Sequence, residues 1–115
     1  MKIARETVVP IDFEGLKIAD YTAGKETSSS FAEISVPAGA THRRAYSKRS
    51  DKYYYVVSGH LEFEIDHTPQ DLRPGDVCLI LKGQRFSYRN PSRLPAKVVL
   101  VHTPSFDLES EIFEE

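Results

Sequence analysis

What most constrains the fold of this chain is how regularly its apolar runs are cut short. Turn-forming residues recur at Pro10, Gly15, Gly24, Pro37-Ala38-Gly39, Ser58-Gly59, Pro69, Pro74-Gly75, Lys82-Gly83, Asn90-Pro91 and Pro95. Between them lie short runs rich in Val, Ile, Thr, Tyr and Phe, which suit pleated strands better than helices. Leu61-Glu62-Phe63-Glu64-Ile65-Asp66 alternates strictly, so its three apolar side chains share one face and its three acids the other. Phe31–Val36 and Lys97–His102 also read as strands, and Asp76–Leu81 is so nearly continuous in apolar residues that cover on both sides is expected. Only Asp107–Phe113 has helical character, and it is short and acidic. The expectation is an all-β sandwich or barrel with at most one terminal helical turn.

The chain has 115 residues, enough for one domain over 1–115, and 40% are hydrophobic, enough for a core without disulfides or structural zinc. A formal net charge of -2 gives no electrostatic case for a nucleic-acid partner. No window has the apolar length of a membrane span, and Lys2, Arg5 and Glu6 interrupt any signal-like start. Cys78 is the single cysteine and has no internal partner for a disulfide. A cytoplasmic location is expected.

Two glycine-bounded segments carry the most specific signal. The first opens at Pro37-Ala38-Gly39 and closes at Gly59, with Tyr46–Gly59 reading Tyr-Ser-Lys-Arg-Ser-Asp-Lys-Tyr-Tyr-Tyr-Val-Val-Ser-Gly. The second, Gly75–Asn90, reads Gly-Asp-Val-Cys-Leu-Ile-Leu-Lys-Gly-Gln-Arg-Phe-Ser-Tyr-Arg-Asn. Together, over 37–90, they resemble the two signature motifs of small single-domain cupins. That resemblance implies a jelly-roll β-barrel with a cavity between its sheets. It usually implies a metal as well, held by two histidines spaced HxH, a glutamate and a third histidine. Here Lys52 stands at the glutamate position and Phe86 at the last histidine, with Leu81 where the motif has proline. The shorter motif spacing puts Tyr46 and Lys48 on the histidine pair, and the longer spacing puts Ala45 and Ser47 there.

Lysine must lose its proton to coordinate a metal, and phenylalanine has no lone pair to offer. No metal or other cofactor is therefore expected at the usual place. His42, His60, His67 and His102 are scattered, and such histidines are more often surface or satisfied residues than ligands.

If Lys48 and Lys52 face inward they put positive charge where a dication normally sits, with Tyr46, Tyr54 and Phe86 as aromatic walls. Buried charge needs a partner. Glu33 on a neighbouring strand is one candidate, a small anionic ligand such as an organic acid or sugar phosphate another. Arg43, Arg44, Arg49 and Arg85 extend the basic character to the mouth. This reading makes the chain a binding protein for a small anion. Set beside it is a metal-independent isomerase or epimerase using Tyr46 as acid and His42 or a lysine as base. A metalloenzyme with displaced ligands, such as His42 with Glu33, and a filled barrel with a structural role complete the set. The resemblance also implies a homodimer, for which the strand alternation offers Tyr53 and Tyr55 on one face, away from Tyr54. An N-terminal strand from Ile3–Ile11 or Phe13–Ile18 is a second means of association.

Overall fold

A computed structural model describes residues 1–114. Among the described residues eleven strands form two antiparallel sheets packed face to face. In chain order they are β1 (Ile11–Phe13), β2 (Leu16–Asp20), β3 (Ser30–Val36), β4 (Thr41–Ser47), β5 (Asp51–Ser58), β6 (Leu61–Ile65), β7 (Thr68–Leu72), β8 (Val77–Ile80), β9 (Phe86–Arg89), β10 (Ala96–Thr103) and β11 (Glu111–Phe113). The six-stranded sheet runs β1-β2-β3-β10-β5-β8 and the five-stranded sheet β11-β4-β9-β6-β7. This is the expected all-β jelly roll, a double sheet whose inner faces make one core. The helical character of the C-terminal segment amounts to a single 3-10 turn, Leu108–Ser110, and its remainder pairs with β4 as β11.

Alternation places the core. Ile34, Val36, Tyr54, Val56 and Val98 point inward from the larger sheet, and Leu61, Phe63, Phe86 and Tyr88 point inward from the smaller. Fully burying one such side chain contributes about 1.5–3 kcal/mol. Gly59 sits where the chain leaves β5 and is required there twice over. Its φ of 84° is left-handed, and a Cβ would lie 2.7 Å from Ala96 Cα. Asn90 ties the corner after β9, its amide donating to the Val36 and Leu94 carbonyls while its Oδ1 accepts from the Ser92 backbone.

Strand β8 departs from the expected two-sided cover. Cys78 and Ile80 are buried, but Val77 and Leu79 are 58% and 45% exposed, because the strand lies at the edge of its sheet and nothing among the described residues covers its outer face. The N-terminal residues form their own hairpin, β1 with β2, at the opposite edge of the same sheet. Among the described residues no helix is long and apolar enough to cross a membrane.

Candidate functional site

One irregularity in β4 decides which side chains reach the interior. Thr41 and His42 oppose Arg89 and Tyr88 of β9, but the next pair is Ala45 with Phe86. Three steps along β4 therefore match two along β9, the signature of a β-bulge. The extra residue changes the phase of the strand. His42 faces inward before the bulge, and Ala45 and Ser47 face inward after it, both fully buried. Tyr46 and Lys48 consequently point out. The Tyr46 ring carries the Arg85 guanidinium 3.8 Å from its centroid, and Lys48 is exposed. The longer of the two motif spacings is the one realised, and neither Tyr46 nor Lys48 lines the cavity.

Between the sheets lies a cavity of about 320 Å³, lined among others by Phe13, His42, Lys52, Tyr54, Tyr88, His102, Glu111 and Phe113. That volume is in the range of small-molecule sites. His42 packs among aromatic rings, stacked on Tyr88 at 5.1 Å and tilted against Phe86, Phe13 and Phe113. Its Nδ1 donates to the Arg43 carbonyl at 2.6 Å, at the bulge itself. That bond fixes the tautomer and leaves Nε2 as an acceptor. Burial lowers the His42 pKa to about 4, the carbonyl opposing the shift and Lys52 adding to it, so the ring is neutral near pH 7. The Tyr88 hydroxyl is buried without a hydrogen-bond partner, and burial drives its pKa up. Tyr54, also raised by burial, stands edge-on to Tyr88 with centroids 5.6 Å apart. Both phenols are therefore proton donors.

The other polar group of the cavity is an ion pair. Lys52 of β5 donates to Glu111 of β11, linking the two sheets, with both side chains only 5% exposed. The Lys52 ammonium also lies 4.9 Å from the centroid of the Phe86 ring, which is buried beneath it. Burial lowers the Lys52 pKa, and the Glu111 carboxylate opposes that shift. His102 of β10 is directly opposite Lys52 in the ladder. Its ring is buried and its Nε2 has no partner among the described residues. Burial, then the Lys52 charge, lowers its pKa to about 3. Glu111 Oε2 is likewise buried and, among the described residues, unpartnered.

Several expected roles are corrected by this geometry. The partner of Lys52 is Glu111, not Glu33, which faces away from the interior and pairs with Lys97 at 3.7 Å. His42 and Glu33 thus do not converge as a displaced metal site. The four arginines do not ring the mouth with free charge. Arg43 pairs with Glu14 at 3.2 Å and lies over the Phe113 ring, while Arg44 and Arg85 share Glu114. Arg49 donates to the Ser105 carbonyl.

The residues do not fit the metal that such barrels commonly hold. Ala45, Ser47, Lys52 and Phe86 occupy the positions of the ligand set. The Ser47 hydroxyl is already committed to the backbone N–H groups of Arg49 and Ser50. Among the described residues no three His, Cys, Asp or Glu side chains come together to hold a metal ion.

Residues 32–102 match the cupin domain. The chain belongs to the cupin family. This cupin is 26% identical over 106 residues to the tetracenomycin polyketide synthase protein TcmJ of Streptomyces glaucescens, covering 90% of this chain and 71% of that protein. It is 33% identical over 78 residues to protein SchB of Streptomyces halstedii, where the match spans 68% of this chain and 56% of that one. Among solved structures, Pac13, described as a unique nucleoside dehydratase, superposes with a TM-score of 0.87 at 22% identity, covering 100% of this chain and 91% of that one. KdgF from Halomonas sp. superposes with a TM-score of 0.81 at 18% identity, covering 93% and 96%. At these identities the structural likenesses establish the fold.

Of the residues singled out in the sequence, the structure brings His42, Lys52 and Tyr54 into this cupin's cavity wall, with Phe86 beneath. It adds Tyr88, His102, Glu111, Phe13 and Phe113. Two of these left a trace in the sequence: Tyr88 is two residues beyond Phe86, and His102 continues the inward series Val98, Leu100, so alternation alone points both inward. Glu111 left none, because its segment reads as helical and its partner is 59 residues away.

Proposed function

We propose that this cupin is an acid–base enzyme that works without the usual cupin metal, acts on a small neutral carbonyl compound and removes water from it. The observation that carries the reading is His42. Burial holds it neutral, its Nδ1 bond to the Arg43 carbonyl fixes it, and its ring stacks on that of Tyr88, whose buried hydroxyl has no partner among the described residues. In this reading His42 Nε2 takes the proton from the carbon next to the carbonyl. The C–H electron pair moves toward the carbonyl, whose developing oxyanion receives a hydrogen bond from Tyr88. The C–O bond of a hydroxyl one carbon further on then breaks, and the His42 imidazolium returns its proton to the departing oxygen. The products are an unsaturated carbonyl compound and water. A lone imidazolium is costly in this site, but one formed beside an enolate is part of an ion pair, which offsets the desolvation.

The fold shared with a nucleoside dehydratase supports this reading. So do the structures of its histidine-to-glutamine and tyrosine-to-phenylalanine variants with uridine, since a histidine and two tyrosines also line this cavity. A nucleoside-like substrate suits aromatic walls at one end and polar atoms at the other. The anionic-ligand reading loses its carrier, because Glu111 already balances the charge of Lys52. An isomerase or epimerase shares the first step but returns the proton to carbon, for which no second base with a fixed tautomer is present among the described cavity residues. The buried, unpaired Cys78 suits a reducing compartment such as the cytoplasm.

The test is proton exchange. In deuterated buffer, β-hydroxy carbonyl compounds, simple and nucleoside-derived, are followed by NMR for deuterium uptake beside the carbonyl and for loss of water. Both should occur with the wild type before and after chelator treatment, and neither with His42→Gln. Exchange that persists in His42→Gln, or that disappears with the chelator, overturns the reading.

A further inference from the structure

We infer that Glu111, held by Lys52 and flanked by His102, is a hydroxyl-recognising end of the cavity that takes a neutral vicinal diol. The inference rests on the proposed small-molecule site and names the class of ligand it selects. Three observations converge. Glu111 spends one carboxylate oxygen on Lys52, while the other is buried and without a donor. A carboxylate lone pair left so costs more than an ordinary missing hydrogen bond, and an O–H donor relieves it. His102 Nε2 is the second partnerless atom, on a ring only 5% exposed and directly across the ladder from Lys52. Both residues line the cavity that holds His42 and Tyr88.

Charge selects the ligand further. Lys52 and Glu111 cancel, and His42 and His102 are both neutral, so the lining carries no net charge for an anion or a cation to answer. Two adjacent hydroxyls supply what the two open atoms lack: in the proposed complex one donates to Glu111 Oε2, and the other meets the imidazole. The rest of the ligand lies toward the aromatic rings of Phe13, Tyr88 and Phe113. A ribose with its planar base satisfies both ends, and a sugar phosphate does not.

Calorimetry and ring-proton NMR on the full chain test this with uridine, dideoxyuridine lacking both ring hydroxyls, and methyl ribofuranoside, which has the diol but no base. Uridine is expected to bind at least about tenfold more tightly than dideoxyuridine. The charge-balanced double variant Lys52→Met with Glu111→Gln should bring that ratio close to one, whereas Arg89→Ala, on the surface and outside the cavity, should leave it unchanged. A pair with only a structural role would weaken both nucleosides alike and keep the ratio, which overturns the inference. Equal binding of the two nucleosides by the wild type also overturns it and leaves the acid–base reading standing. Failure of uridine together with a shift of the His102 ring protons by methyl ribofuranoside supports the diol site and removes only the nucleoside reading. No response to any of the three overturns the inference.

Discussion

His42 and His102 stand on opposite sheets of the same cavity, and the contrast between them separates two uses of a buried imidazole. Both are held neutral chiefly by burial, with pKa values lowered to about 4 and about 3. His42 has one nitrogen committed to a backbone carbonyl at a bulge, so its remaining nitrogen is an acceptor by construction. His102 has no such lock and faces an ion pair instead. A fixed tautomer suits a proton acceptor, while an unlocked ring can accept or donate as a bound hydroxyl requires. The difference therefore lies less in how buried each ring is than in what holds it.

The sharpest way to break the comparison is to remove each ring in turn. His42→Gln should cut turnover by about 10²–10⁴-fold, the usual worth of a positioned general base, with little change in the melting temperature. His102→Gln should act mainly on KM. Equal losses of kcat in the two variants would erase the distinction. The ion pair offers the next largest effect. Lys52→Met leaves Glu111 buried without its partner and should destabilise the fold by about 3–5 kcal/mol in chemical denaturation, while the double variant with Glu111→Gln should recover most of that.

Acid should strike both histidines at once. Their folded-state pKa values lie below the ordinary 6.5, so between pH 6.5 and about 3 the unfolded chain binds more protons than the native one. The stability they allow is complete above pH 6.5 and is lost as pH falls through that window, on the order of 3 kcal/mol for His42 and about 5 kcal/mol for His102. Denaturation midpoints of the wild type and of the two glutamine variants across this range measure it, and each variant should flatten the profile. At the small end, Arg89→Ala removes the surface pair with Glu62 and should change stability by less than about 1 kcal/mol.

The barrel was legible because its information is local. Turn residues mark strand ends, and alternation such as Leu61-Glu62-Phe63 marks faces. The glycine frame was sound because positions such as Gly59 are fixed by close backbone approach. The site was only half legible, for two physical reasons. A bulge carries no residue-type signal, so nothing near Arg43-Arg44 announces that the phase of β4 changes and that Tyr46 and Lys48 turn outward. The Lys52–Glu111 pair depends on where the last strand docks, a tertiary choice that overrides the helical tendency of Asp107–Phe113. The apolar run at β8 reads as covered on both sides because sequence reports how apolar a strand is, not where in the sheet it lies.

The extra residue in β4 behaves like a dislocation in a crystal row: everything before it obeys one parity and everything after it the other. One deletion at Arg43 or Arg44 would reset the count, withdrawing either His42 or Ala45 and Ser47 from the interior while leaving every strand in place. A family alignment that slides by one position here would therefore assign chemistry to the outside of the barrel. By the same token, restoring imidazoles at Ala45 and Ser47, rather than at Tyr46 and Lys48, is the route by which this interior could be taught to hold a metal.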